Sequence, residues 1–399
     1  MRVRILIILV FGAVVILFGG PDSFAAYPQT MTTTSPHVNL PRPDDDPRWA
    51  KAFAHWDKRE ETEEAETALL ILEEIAKDKP DSFEAQLWLC RVYYLMAVRK
   101  RGDKYFSEKG VAAGDAALEI KPGDDAATVW RFSCLLLSRD LTEEEYKEVE
   151  ALGAKYRSIR PLPEPDDDPL WAKAIKKYDA RMDCEQAFAA IRDFKKLDAK
   201  YPDRIEPKLY LSWSYYYLGL AEPDKEKKAE FFKTGADWAR KAITIETRNP
   251  AANYFFIATL GSYVEVEGTL AMVRHSMELA KALILVCEEQ PTYMYGGFSR
   301  FLAASLAEAG ELSFRVAEML GFSKELIVRL TVYSTKQEPG YFDNHFRLAQ
   351  MYISLGREED AKKSLEYVID GDPADLKYYE PENRIIQKQA RKLYDENFK

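Results

Sequence analysis

Apolar residues recur three and four positions apart through most of the chain, the spacing that places them on one face of a helix. Trp49, Phe53 and Trp56 form one such face. Ala65, Ala68, Leu72, Ile75 and Ala76 form the next, and Pro80 ends it. The pattern returns as Trp171, Ile175 and Tyr178, then Ala187, Ala190, Ile191, Phe194 and Leu197, closing at Pro202. Leu87, Tyr93, Tyr94, Ala113, Ala117 and Pro122 make a further pair of helices, echoed by Leu211, Tyr215, Gly219, Ala239, Ala242 and Pro250. No stretch reads as a β-strand, so the expectation is an all-α chain of helix, turn, helix and proline.

The repetition extends to identity. Leu40 to Ala52 (LPRPDDDPRWAKA) returns 122 residues later as Leu162 to Ala174 (LPEPDDDPLWAKA), with eleven of thirteen positions unchanged. Both copies contain Asp-Pro, at Asp46-Pro47 and Asp168-Pro169. Aspartate is a good helix N-cap and proline is favoured at the first helical position, so a helix should start at each. The triple aspartate lacks the glycine and distal glutamate of a calcium loop, which favours capping over metal binding.

The clearest unit lies late in the chain. Leu348, Ala349, Tyr352, Gly356, Ala361, Leu365, Val368 and Pro373 fall at the positions of a tetratricopeptide repeat, two antiparallel helices with a period of about 34 residues. Ala349 and Ala361 are small where the helices cross, and His345 occupies a slot often held by tryptophan. In the final segment Ile385, Ile386, Ala390 and Leu393 share one side and charges the other, the profile of a solenoid's capping helix. The predicted fold is a tetratricopeptide-like α-solenoid. Its repeat blocks span 47–161, 162–268 (a duplicate of the first) and 269–399 with the cap.

Residues 1–25 read as an export signal. Arg2 and Arg4 precede an apolar run from Ile5 to Phe18, and Ser23-Phe24-Ala25 offers small residues for cleavage. The run is shorter than the roughly 20 residues of a membrane span, so cleavage and a periplasmic mature chain are expected, with a retained anchor as the alternative. No cysteine sits there to carry a lipid. Residues 26–46 read as an extended linker.

Composition narrows the function classes. A net charge of −10 argues against nucleic acid, whose phosphates need clustered Lys and Arg. The four cysteines, Cys90, Cys134, Cys184 and Cys287, form no CxxC pair and read as small buried hydrophobes or, in an exported chain, as disulfide partners. The histidines (His37, His55, His275, His345) have no ligand spacing. No nucleophile, metal, phosphate or dinucleotide motif is present. No catalytic residue, cofactor or metal is therefore predicted.

Two features rise above this. Tyr93-Tyr94, Tyr215-Tyr216-Tyr217 and Tyr254-Phe255-Phe256 are adjacent aromatic runs. Neighbours on a helix point about 100° apart, so three in a row cannot share one core. They either fill gaps between helices or line a groove or interface, where tyrosine is a favoured binding residue. The other feature is Tyr295-Gly296-Gly297 with Arg300 near the mouth of a helix. A cation beside helix N-terminal amides gains nothing from the dipole, so Arg300 serves a salt bridge inside the fold or an anionic ligand.

Tyr295-Gly296-Gly297, Arg300, the late repeat and Pro381-Glu382-Asn383 leading into Ala390 to Leu393 together resemble the T-component proteins of TRAP-associated transporters. The resemblance covers about Pro207 to the C-terminus. It implies an exported, non-enzymatic helical protein whose partner is the periplasmic solute-binding subunit of an organic-acid transporter. Of its motif, Tyr295, Gly296, Gly297 and Arg300 carry over as positions of interest. The lipid-bearing cysteine is missing, and the first copy, Leu40 to about Pro161, is additional. Two further expectations stand beside it: an envelope assembly scaffold, and a carrier of a small hydrophobic or organic-acid ligand in an aromatic groove. A homo-oligomer is compatible with each.

Overall fold

A computed structural model describes residues 40–100, 103–157, 160, 162–309 and 323–399. The expected signal, most of the linker and His37 lie outside the described residues. Seventeen α-helices and two 3-10 turns are present among the described residues, with no strand. They are α1 (Pro47–Trp56), α2 (Thr62–Asp78), α3 (Phe83–Arg99), α4 (Lys104–Ile120), α5 (Asp125–Ser138), α6 (Glu143–Tyr156), α7 (Pro169–Asp179), α8 (Cys184–Lys200) and α9 (Glu206–Ala221). Then come α10 (Lys225–Ile245), α11 (Pro250–Glu267), α12 (Thr269–Glu289), α13 (Tyr293–Ala309), α14 (Lys324–Gln337), α15 (Phe342–Ser354), α16 (Glu358–Asp370) and α17 (Glu380–Phe398). Most helices consecutive in sequence pack on one another as hairpins, the architecture of an α-solenoid.

The described residues fall into two compact units, one of 40–146 with 323–329, the other of 147–309 with 330–399. In the first unit α1 to α5 pack in succession, around Trp49, Trp56, Trp88 and Trp130. In the second, α7 to α12 do the same, and α13, α15, α16 and α17 complete it. The two sequence copies thus open different units.

Both Asp-Pro signals act as read. The Asp46 carboxylate accepts from the Arg48 amide at 3.0 Å and the Asp168 carboxylate from the Leu170 amide at 2.8 Å. Each also holds a cation. Arg48 binds Asp46 at 2.8 Å, and Lys200 binds Asp168 at 2.7 Å. The linker differs from expectation at its end. Leu40 and its counterpart Leu162 are buried. The Trp88 indole donates to the Pro41 carbonyl at 2.7 Å, and the Tyr210 hydroxyl donates to the Pro163 carbonyl at 2.9 Å. These carbonyls lie outside any helix, and an aromatic of the third helix of each copy donates to them, so this segment is a packed strap.

Cys90, Cys134 and Cys287 are buried, whereas Cys184 is exposed at the start of α8, one residue after its N-cap Asp183. All four are free thiols. Cys184 stands between Asp183 and Glu185, both exposed, in the first turn of α8, so the expectation of a buried thiol fails there.

The last hairpin fulfils the repeat. Ala349, Ala361, Leu365 and Val368 are fully buried, and α17 lays Ile386 and Ala390 on Phe342 and Phe346 as the cap. His345 stacks on Tyr367, centroids 4.1 Å apart, with Nε2 shut from solvent and unpartnered. Burial and nearby Lys336 hold its pKa down to about 4, against a backbone hydrogen bond with Pro339 that works the other way. The unfolded chain takes up this proton near pH 6.5, the folded chain only near 4. Stability is therefore complete above 6.5 and falls as pH drops toward 4, by roughly 3 kcal/mol at most. Urea midpoints at pH 7.5 and 5 should differ more for the wild type than for His345→Gln; equal differences would refute the assignment.

Candidate functional site

The Gly-Gly element opens α13 with a left-handed turn. Met294 (φ 51°, ψ 45°), Tyr295 (φ 54°, ψ 49°) and Gly296 (φ 78°, ψ 40°) are all left-handed before the right-handed helix resumes. Only glycine takes this conformation freely; a side chain costs roughly 1–2 kcal/mol there. Something must hold Met294 and Tyr295 in place, and Arg300 does. Its guanidinium donates to the Met294 carbonyl at 2.7 Å, the Tyr295 carbonyl at 3.0 Å, Asn344 Oδ1 at 2.7 Å and the Tyr254 hydroxyl at 2.8 Å. It lies 4.5 Å from the Tyr341 ring centre, and its Nε is 3.5 Å from Asp343. Asn344 is fixed in turn by donating to the Ser334 carbonyl at 2.8 Å.

Of the two roles left open for Arg300, the internal one is occupied. It is buried, and its donors are directed at backbone and side chains of this chain. Both glycines are sterically required. A Cβ on Gly296 would come 1.9 Å from Ser334 Oγ, and one on Gly297 would come 2.1 Å from the Tyr254 ring. Tyr295 packs between Tyr341 and Tyr379, centroids 5.6 and 5.8 Å away. Burial pushes the phenols of Tyr293, Tyr295, Tyr341 and Tyr379 upward in pKa, so they stay neutral.

The tyrosine triplet points three ways, as helical geometry requires. Tyr215 is half-buried, with the Phe231 ring 6.4 Å away and Lys195 over its face. Tyr216 stacks on Trp213 at 4.8 Å and turns inward. Tyr217 is buried near Arg181, and desolvation raises its pKa to about 12. Tyr216, Gly297 and Arg300 meet at a cleft of about 80 Å³, whose lining also includes Tyr254, Asp343 and Arg347. Tyr215, Tyr217, Tyr295 and Gly296 are not part of that lining. Sequence reasoning passed over Asp343 and Arg347, paired at 3.1 Å; their four-residue spacing on α15 was the available signal.

Pro381-Glu382-Asn383 is also structural. Glu382 binds Arg181 at 2.6 Å, and both are buried. Asn383 donates to the Gly340 carbonyl at 2.8 Å and accepts from the Phe342 amide at 3.2 Å.

No family model matches the chain, and no curated protein does. Among solved structures, the human IFIT1 dimer with PPP-AAAA aligns at 12% identity over 81% of this chain and 72% of that one, with a TM-score of 0.33. Yeast Tom70 aligns at 13% identity over 87% of this chain and 96% of that one, with a TM-score of 0.20. Those scores are too low to carry an argument about function. The solenoid assignment rests on this chain's own hairpins and on the late repeat.

Proposed function

We propose that this chain is an exported, non-enzymatic tetratricopeptide-like scaffold that docks a protein partner. By the resemblance above, that partner is the solute-binding subunit of a TRAP-type organic-acid transporter. One observation supports this over a carrier: the Tyr-Gly-Gly and Arg300 groups are consumed in shaping α13. The adjoining cleft, about 80 Å³, is well under the roughly 300–1,000 Å³ of sites that enclose a sizeable small molecule. What such an element governs is the shape of the surface between α9, α11, α13 and α15, which is what a docking protein reads.

The test mixes the mature chain with the solute-binding protein encoded beside TRAP-type membrane subunits of the same genome, followed by native mass spectrometry. A defined complex is expected. A small molecule released from the chain on denaturation, with no complex, would overturn the reading in favour of a carrier. Export carries its own prediction: N-terminal sequencing of the periplasmic protein should begin near Ala26, and a retained Met1 would refute cleavage.

A further inference from the structure

The two sequence copies repeat one aromatic pair and surround it with opposite charge, Glu66 of the first copy standing where the second has Phe188. In the second copy the Phe231 ring lies 6.2 Å from Phe188 and 6.4 Å from Tyr215. In the first, the equivalent Tyr93 and Phe106 rings lie 6.5 Å apart. The residue beside the tyrosine is Lys195 in one copy, its Nζ 5.7 Å from the Tyr215 ring centre. In the other it is Glu73, whose carboxylate accepts from the Tyr93 hydroxyl.

Each copy also exposes a large apolar side chain that its surroundings would be expected to cover. Leu70 on α2 is 62% exposed, and Phe188 on α8 is 42% exposed. Within one turn of Leu70 stand Glu66, Glu73 and Glu74. One and two turns beyond Phe188 stand Arg192 and Lys195, both exposed. Lys227 and Lys228 lie one turn before Phe231 on α10. The opposing charges are Lys77, Lys100, Lys104 and Lys109 on the first face, with Lys100 2.8 Å from Glu66 and Lys104 paired with Glu108, and Glu185, Glu226 and Glu230 on the second. Over the whole copies, residues 47–120 hold twelve Lys and Arg against fifteen Asp and Glu. Residues 169–245 hold sixteen against twelve, in a chain of net charge −10.

We propose that the acidic Leu70 face of one molecule docks on the basic Phe188 face of a second copy of this chain. The contact removes both exposed apolar groups from water and sets carboxylates against ammonium and guanidinium groups around them. Because the two faces differ, the interface is heterologous, and every molecule offers both halves of it. This assembly is separate from the docking of a solute-binding protein, and neither depends on the other.

Sedimentation velocity on the mature chain tests it. At about 100 µM protein and about 50 mM salt, species heavier than the monomer are expected, reverting to monomer near 0.5 M salt as the charges are screened. Arg192→Glu with Lys195→Glu should weaken association about tenfold or more, as should Glu66→Lys with Glu74→Lys. Arg192 and Lys195 are exposed, so the first variant's melting curve should match the wild type; Glu66 is half-buried and paired with Lys100, so the second variant should melt slightly lower while remaining folded. Mixing the two double variants restores opposite charge at both contacts, and heavy species should reappear only in the mixture. A monomer at every concentration would overturn the proposal. So would association that survives the charge reversals, or a mixture that stays monomeric.

Discussion

Replacing Arg300 by methionine should destabilise the unit of residues 147–309 and 330–399 by about 4 kcal/mol, read as a urea midpoint lower by roughly 1 M. The magnitude follows from what the guanidinium holds. It satisfies two carbonyls of the left-handed turn, the Asn344 side chain and the Tyr254 hydroxyl, all away from water. Methionine fills much of the volume but leaves these groups unpaired, and the Met294 and Tyr295 conformations lose the group that holds them. Arg300→Lys keeps the charge without the planar fork, and should recover less than half of the loss. A methionine variant with an unchanged midpoint would show that the turn is held by packing alone. The same variant should weaken any partner that reads the surface around α13, which links this turn to the proposed function.

The second large effect is expected at Glu382. Arg181 and Glu382 are nearly inaccessible, 2.6 Å apart, and join the end of α7 to the cap helix α17. Arg181 also donates to the Tyr378 carbonyl at 2.6 Å and lies over the Tyr178 ring at 4.5 Å. Removing one partner strands a buried charge, so Glu382→Leu should cost about 3–5 kcal/mol. Removing both is different. Arg181→Met with Glu382→Leu replaces the pair by apolar groups of similar size and should cost much less than the single change. Equal losses for the single and double variants would mean that the pair contributes through shape rather than charge. The matching position in the first copy, Arg59, is equally buried over Trp56, so the arginine belongs to the duplicated hairpin and its acidic partner to the cap.

The hairpins were legible because their cause is local. Asp46-Pro47 and Asp168-Pro169 set helix starts through their own carboxylates, and Ala349, Ala361 and Leu365 are small or apolar where two neighbouring helices must touch. The cap was legible for the same reason, since Ile386 and Ala390 sit on one face of a charged helix. The site was legible only in part. Tyr295, Gly296, Gly297 and Arg300 are local in sequence, and their link by a tight backbone turn could be read. That Arg300 turns back on the Met294 and Tyr295 carbonyls could not, because Asn344 and Tyr254 reach it from 44 residues later and 46 earlier.

The sequence by itself determined the all-α class, the helix starts, the duplication and the late tetratricopeptide hairpin, since each follows from periodicity, capping and side-chain size within a few turns. The tertiary structure decided which charges and rings are spent. It packed Leu40 where a linker was expected, exposed Cys184, scattered Tyr215, Tyr216 and Tyr217 to three surroundings, and buried Arg181 against Glu382. The physical reason is that a buried polar group must find a partner, and in a stack of hairpins that partner lies on another helix, at a separation no local pattern encodes.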